Sequence, residues 1–377
     1  MNFSYTEEQL MLQSMVQKFV QKDYDFDTRN KIVASDKGYS EDNWQTFAEL
    51  GWLSVPFTEE DGGFGGSAVD LIVMMEEFGK AILVEPFVPT AVFCGELVSS
   101  LGNDSQKADL IEKIMGGSLQ LACAHVEQSG RYNPASVSTT AVTEGDSIVL
   151  NGEKISVLNG ANADKLLVVA RESGATTAKE GISVFIVDAS TEGVEIQSYT
   201  NVDGKNAAKI TLTSVKISVD SRLGAAGKAL PGLESGIDRA TLAVCAEAVG
   251  SLEALLKKTV EYSKIRKQFG TPIGTFQALQ HRMADMFIEC QLVRSIVIMA
   301  AMSLDSNDSD AEKSKAVSAA KSRIGKAIRK VGQESIQIHG GIGVTNELDI
   351  SHLFKSVTAL DVMFGNSDYH TKRFSSL

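Results

Sequence analysis

The four cysteines, Cys94, Cys123, Cys245 and Cys290, form no C-x-x-C pair. Their apolar surroundings point to reduced, buried thiols in a reducing compartment, not to a disulfide framework. The five histidines, His125, His281, His339, His352 and His370, share no ligand spacing with one another or with the cysteines, so no metal site is expected. Clustered basic residues are missing too. The formal net charge of -12 argues against a nucleic-acid partner, because counterion release needs grouped Lys and Arg. One local basic cluster would still suffice for a phosphorylated small molecule. Met1 to Tyr5 lead straight into a helical pattern with neither a basic n-region nor an apolar h-region,. No apolar run approaches the roughly 18–20 residues that span a bilayer. The expectation is a cytoplasmic chain with no membrane span. The glycine-rich run Asp61 to Gly66 has no P-loop lysine and no strand-to-helix setting, and reads as a loop.

What is present is an ordinary globular balance of 43% hydrophobic and 22% charged residues over 377 positions, enough for two or three domains. From Thr6 to about Gly117 the apolar residues recur at three- and four-residue steps, as in Leu10, Met11, Met15, Phe19 and Val20, which is helical periodicity. The character changes near Leu119. Ser147 to Leu150, Lys165 to Ala170, Ile182 to Val187 and Lys209 to Thr213 are short, β-branched and separated by Gly, Asn, Asp and Ser, which predicts a small antiparallel sheet or barrel. Asn151-Gly152 is a two-residue hairpin signal. After Gly232 the helical period returns, with long stretches at Ala243–Arg266, Ala278–Leu304 and Ala311–His339 and a final helix at Asp349–Met363. The third stops at Gly340-Gly341. The fold class is α+β: an N-terminal helical domain at 1–118, a middle antiparallel β domain at 119–227, and a C-terminal four-helix bundle at 228–377.

Ile265 to Ile273, followed by Phe276 to Gln280 and Met283-Ala284-Asp285-Met286, resembles the acyl-CoA dehydrogenase signature R-x-x-F-G-x-P-[IL]-x-x-x-Q-x-x-x-x-x-x-A-D-M. Gln337 to Val344 resembles that family's Q-x-x-G-G-x-G block, and Thr6 to Gln9 and the stretch from Glu49-Leu50-Gly51-Trp52 to Gly62-Gly63 fit the family as well. The likeness covers essentially the whole chain in the right order. It implies FAD as cofactor, held by Arg266, Gln268, Phe269, Gln277, Gln337, Gly340, Gly341 and Gly343. Physics supports the roles: a planar guanidinium such as that of Arg266 recognises paired phosphate oxygens, and glycines let backbone approach a dinucleotide. The plain alternatives are a helix-end surface charge for Arg266 and a simple C-cap for Gly340 and Gly341. In the family these blocks reach the FAD of a neighbouring subunit, which implies an oligomer, a tetramer by analogy, with an electron-transfer flavoprotein as possible acceptor. By the same resemblance, Asp238 and Arg239 are the substrate-contact candidates.

The pattern fails where the chemistry needs a base. Removing the α-proton of an acyl thioester requires a carboxylate within reach. In most members it lies in a Y-E-G-T segment, which here is Met363-Phe364-Gly365-Asn366, and the alternative position on the helix after the β domain is Ala240. One carboxylate remains nearby. Glu247 lies seven residues beyond Ala240, on nearly the same helical face,, and burial would raise its pKa as suits a base. The alternative is a structural Glu paired with Arg. The family's T-E-P-x-A-G-S-D loop is also altered, to Val126 to Tyr132, and its W-I-T-N to Ser156 to Asn159. Val126, Ser156 and Leu158 cannot replace the usual flavin-ring contacts.

Intact ADP-side motifs with an eroded ring side resemble the smaller subunits of heteromeric acyl-CoA dehydrogenases of pimeloyl-CoA and steroid side-chain type. Two expectations follow: a subunit or enzyme oxidising an acyl-CoA to its 2,3-enoyl-CoA, or a non-redox acyl-CoA-binding or scaffolding protein of the same fold. Flavin-dependent monooxygenation on this fold is a third. Substrate identity is not written in these residues.

Overall fold

In a computed structural model, residues 5–377 are described. The chain opens with helices α1 (Glu7–Asp23), α2 (Phe26–Val33), α3 (Glu41–Glu49) and α4 (Ala68–Ala81). A π-helical segment, Val88–Cys94, continues into α5 (Gly95–Leu101) and is followed by α6 (Asp104–Met115). Strands β1 (Leu121–Ala124), β2 (Thr140–Glu144), β3 (Ser147–Leu158) and β4 (Lys165–Arg171) come next. They are followed by β5 (Ile182–Asp188), β6 (Val194–Thr200), β7 (Asn206–Ser218) and β8 (Arg222–Leu223). Last come α7 (Leu230–Ile265), the short pair β9 (Lys267–Gln268) and β10 (Thr271–Pro272), α8 (Gln277–Leu304), α9 (Asp310–His339), α10 (Asp349–Val362) and α11 (Ser367–Ser376). The helix–sheet–helix order is the expected one.

Two compact units are distinguished by their internal contacts: 5–31 with 68–83 and 241–377, and 32–67 with 84–240. The second holds the sheet, in the order β6-β7-β3-β2-β4-β5-β8, with β1 on β4. Its inner face is built from Ala122, Ala124, Ile148, Leu150, Leu166, Val168, Phe185, Val187 and Ile210, alternate residues of their strands, while β1 and β4 are buried on both faces. The sheet is antiparallel except where β1 runs parallel to β4 and where Thr140 of β2 meets Arg171 of β4. The Asn151-Gly152 hairpin is overturned. These residues lie inside β3, at a register shift against β7. The Asn151 side-chain carbonyl accepts from the Ser214 amide at 2.7 Å, and a Cβ on Gly152 would stand 2.5 Å from Thr139 Oγ1. The glycine serves a bulge. The β2–β3 turn falls instead at Gly145, φ 63°.

In the first unit, α9 shows how sequence writes a helix. Ser309 and Glu312 form a reciprocal capping box,. Val317, Ala320, Ile324, Ile328 and Val331 line the buried face,. Gly340 ends the helix at φ 69°,. One expectation about apolar runs needs correction. α8 is long and apolar enough to cross a membrane by length and composition, with mean hydropathy 1.6 over a stretch only 28% buried. Its Arg294 is nonetheless ion-paired to the buried Glu76 at 2.7 Å and to Glu253 at 2.5 Å. That pairing binds α8 to α4 and α7, while Ile288, Leu292 and Met299 remain about half exposed. The terminal helix α11 was not foreseen, because its polar face masks the period.

Candidate functional site

α7 ends at Ile265, and the chain then makes a tight hairpin in which Gln268 pairs with Thr271. Phe269 (φ 53°) and Gly270 (φ 80°) occupy its tip. This turn type favours Asn-Gly, because both central residues need positive φ, so a phenylalanine there is under strain. It is also 94% exposed, its ring meeting that of Phe276 edge-on at 6.2 Å between centroids. The Arg266 amide donates back to the Tyr262 carbonyl of α7 at 2.9 Å, and the Arg266 carbonyl accepts from Ile273 N–H at 2.8 Å across the hairpin. The Arg266 guanidinium is exposed and has no bonded partner among the described residues. The Gln268 side-chain amide donates to the neighbouring Lys267 carbonyl at 2.8 Å, and Gln277 is exposed at the start of α8.

The second predicted block lies at the end of α9, in the same unit. His339 stacks on Tyr262 of α7 with centroids 4.3 Å apart, which brings the end of α9 beside the last turns of α7. Gln337, Gly340 and Gly341 are exposed, and a Cβ added to either glycine would meet nothing within 4 Å. Gly343 differs. It is buried, and a Cβ there would stand 2.8 Å from His339 Cβ, so its small size serves packing. An unpartnered guanidinium, an uncovered aromatic and open glycine backbone at one end of the unit fit a pyrophosphate-bearing dinucleotide.

Glu247 is 2% exposed. It belongs to the stretch of α7 that crosses α4 nearly backbone to backbone, with its carbonyl oxygen 1.9 Å from where a Cβ on Gly79 would be. Ser251 Oγ donates to the Gly79 carbonyl at 2.8 Å. Phe364 lies between α10 and α11 at φ 55°.

In the other unit, Asp238 is 4% exposed. The Arg239 guanidinium donates to the carbonyls of Pro56 at 2.8 Å and Gly66 at 2.6 Å, bracketing the glycine-rich loop, and it lies 3.8 Å from Glu96. That loop closes on Phe57: a Cβ on Gly63 would be 2.3 Å from the Phe57 carbonyl. Beside Val126, the Glu127 carboxylate accepts from Lys154 Nζ at 2.7 Å, the Ser138 and Thr139 amides at 2.7 and 2.9 Å, and Thr139 Oγ1 at 2.7 Å. Burial pushes this carboxyl up, but the Lys154 ammonium and these bonds leave it below the usual range. Ser156 (φ 52°) and Asn159 (φ 58°) are left-handed, Ser156 at the second register shift of β3. The residues expected on the flavin ring are changed, yet the scaffold beneath them is tightly bonded.

A cleft of about 530 Å³ in the first unit, lined by Tyr24, Glu77, Lys80, Glu253, Lys257 and Asp349 among others, contains none of the predicted residues. Sequence reasoning missed Lys154 and Lys321, both fully buried. The signal for Lys321 was available, since it falls within the apolar stripe of Val317, Ala320 and Ile324.

Three comparisons bear on this arrangement. Residues 6–118, 122–216 and 233–375 match the acyl-CoA dehydrogenase N-terminal, middle and C-terminal domains respectively. The probable acyl-CoA dehydrogenase YngJ of Bacillus subtilis is 30% identical over 98% of this chain and 97% of its own. The caffeyl-CoA reductase-Etf complex subunit CarC of Acetobacterium woodii is 26% identical over 96% of each. The crystal structure of acyl-CoA dehydrogenase from Geobacillus kaustophilus superposes with a TM-score of 0.91 at 26% identity, covering 99% of this chain and 98% of that one.

Proposed function

Since the chain belongs to the acyl-CoA dehydrogenase family, we propose that it is a subunit without the usual base in a heteromeric dehydrogenase. Its class is that of an FAD-dependent oxidoreductase acting on acyl-CoA thioesters, giving the 2,3-enoyl-CoA. The observation that carries the proposal is Phe364, an apolar side chain in the turn where the family's carboxylate is expected, joined by Ala240 at the alternative position. Neither accepts a proton.

When bound, FAD supplies the acceptor for the β-hydride. Arg266 would engage its phosphates, with Gln268, Phe269, Gln277, Gln337 and the Gly340-Gly341 backbone around the ADP half. These groups face outward, which suits a flavin shared with a neighbouring chain. Exposed Ile288, Leu292 and Met299 on α8 offer apolar area for such a neighbour. A relative named as a subunit of a reductase–Etf complex supports a partner subunit and an electron-transfer flavoprotein as acceptor. A tetramer is the expected assembly, in a soluble, cytoplasmic setting. The proposed partition is 1–118, 119–227 and 228–377, with Asp238 and Arg239 near the CoA ester. Glu247 is the candidate base if the chain acts alone.

The test is the visible spectrum of the purified chain, anaerobically, before and after a panel of acyl-CoA thioesters. A flavin band that stays oxidised until a partner subunit is added supports the proposal. Bleaching by the isolated chain overturns it in favour of a self-sufficient enzyme. A second reading, a non-redox thioester-binding scaffold, draws on Val126, Ser156 and Leu158, and predicts no flavin in any complex.

A further inference from the structure

The buried polar groups around α9 converge on one turn. Between α10 and α11, Phe364 (φ 55°) and Gly365 (φ 114°) are consecutive residues at positive φ. Lys321 is fully buried, and its Nζ donates to the carbonyls of Leu360 and, at 3.1 Å, Asp361 in the last turn of α10. His370 is fully buried on α11, with Nε2 3.0 Å from the Phe364 carbonyl and Nδ1 3.3 Å from Ser318 Oγ. A ring nitrogen facing a carbonyl must carry the proton, so Nδ1 is bare and accepts from the serine hydroxyl. Burial pushes the imidazole pKa down to about 3, which keeps this single neutral form.

The fit is close on every side. A Cβ on Gly325 would stand 2.3 Å from Asp361 Oδ1 and 2.8 Å from Ser367 Cβ, and one on Gly365 2.7 Å from His370 Nε2. Ser367 Oγ donates to the Ser322 carbonyl at 2.9 Å. Stopping a helix needs none of this, since a glycine and an apolar neighbour suffice. Burying an ammonium is costly, and here its hydrogen bonds go to two backbone carbonyls, with the Asp361 carboxylate near enough to act on it.

We propose that Lys321 and His370 are positioning residues that hold the 363–366 turn in the one conformation presenting side chain 364 to the acyl site. The proposal rests on the family reading of position 364. In this chain the platform carries Phe364, which shapes the acyl cavity in place of accepting a proton.

The experiment places 4-fluorophenylalanine at position 364 of the flavin-loaded full chain and records its fluorine resonance, with the same label at the sheet residue Phe185 as a folding control. The parent should give one narrow signal, retained in His370→Gln, whose amide keeps a donor. His370→Leu and Lys321→Met should broaden or split it and speed amide exchange at 363–366 at least tenfold, with the Phe185 signal unmoved. If His370→Leu fails to fold, His370→Asn, too short to reach the carbonyl, must show the same broadening. An unchanged signal and unchanged exchange overturn the positioning role. Addition of butyryl-CoA or octanoyl-CoA should shift the 364 resonance. A clasp that responds to the variants beside a signal blind to both thioesters overturns the link to the acyl site and leaves flavin binding to be judged by its own spectrum.

Discussion

The backbone of Glu76 on α4 and that of Gly250 on α7 meet so closely that a Cβ on Gly250 would stand 1.8 Å from the Glu76 carbonyl oxygen. Three residues along α4 and three back along α7 the contact repeats, at Gly79 and the Glu247 carbonyl. Two helices crossing at this distance leave no room for a methyl group, and neither backbone can rotate away as a side chain could. In a free helix Gly→Ala is stabilising by about 1 kcal/mol. Here Gly250→Ala should instead destabilise by about 3 kcal/mol, the upper range of overpacking, and lower Tm by roughly 5–10 °C. Thermal and urea unfolding check it. Unchanged stability would mean that the crossing is looser than the geometry states.

Much of this was legible in the residues, and the parts that were not have physical reasons. Long helices such as α8 and α9 announce themselves because their apolar period persists over many turns. The Phe269-Gly270 turn lay inside a motif, but its positive φ could not be read from a phenylalanine. The Asn151-Gly152 signal misled because glycine serves bulges and turns alike, and only the partner strand decides which. Lys154 was invisible as a buried group because its partner Glu127 lies 27 residues earlier; Lys321 sits in an apolar stripe, but its acceptor, the Leu360 carbonyl, lies 39 residues later.

Arg266 offers a guanidinium with no bonded partner among the described residues, so removing it should leave the fold intact and weaken only what it holds. Charge-assisted bonds to phosphate contribute about 1.5–3 kcal/mol. Arg266→Ala should therefore weaken FAD binding roughly 10- to 100-fold, with stability within about 0.5 kcal/mol of the parent. Flavin retention on gel filtration and titration of the apoprotein measure this. Equal retention by the variant removes Arg266 from the cofactor site.

The Lys154–Glu127 pair, 0% and 6% exposed at the side chains, gives a sharper test of the β scaffold. Losing one partner strands the other charge, which destabilises by about 3–5 kcal/mol. Glu127→Gln and Lys154→Met should each do so, while the double variant should recover a large part of the loss. The pair also sets a pH direction. The folded pKa of Glu127 lies below its ordinary value, so the unfolded chain binds more protons as the medium turns acidic. Its stabilisation is present above about pH 4.5 and is lost as pH falls through the folded value. Glu127→Gln should flatten the acid limb of the stability curve. An additive double mutant, or an unaltered acid limb, would show that the two groups do not act as a pair.

Glu247 raises the question of where the α-proton goes. It is a buried carboxylate on α7, seven residues beyond Ala240, and Gln is nearly its isostere, so Glu247→Gln changes the charge and leaves the packing of the side chain nearly unaltered. If the chain reduces flavin by itself, this variant should lower the anaerobic reduction rate roughly 10²- to 10⁴-fold, the scale of a lost general base, and leave enoyl-CoA binding within about twofold. A loss confined to binding, or to thermal stability, would assign Glu247 to the helix crossing. Rates equal to the parent's would also eliminate it. The acceptor would then be another group of the same chain. If instead the isolated chain leaves flavin oxidised, the acceptor comes from the partner subunit, because the Phe364 and Ala240 side chains have no lone pair to offer, and a complex reconstituted with Glu247→Gln should turn over as fast as one built from the parent.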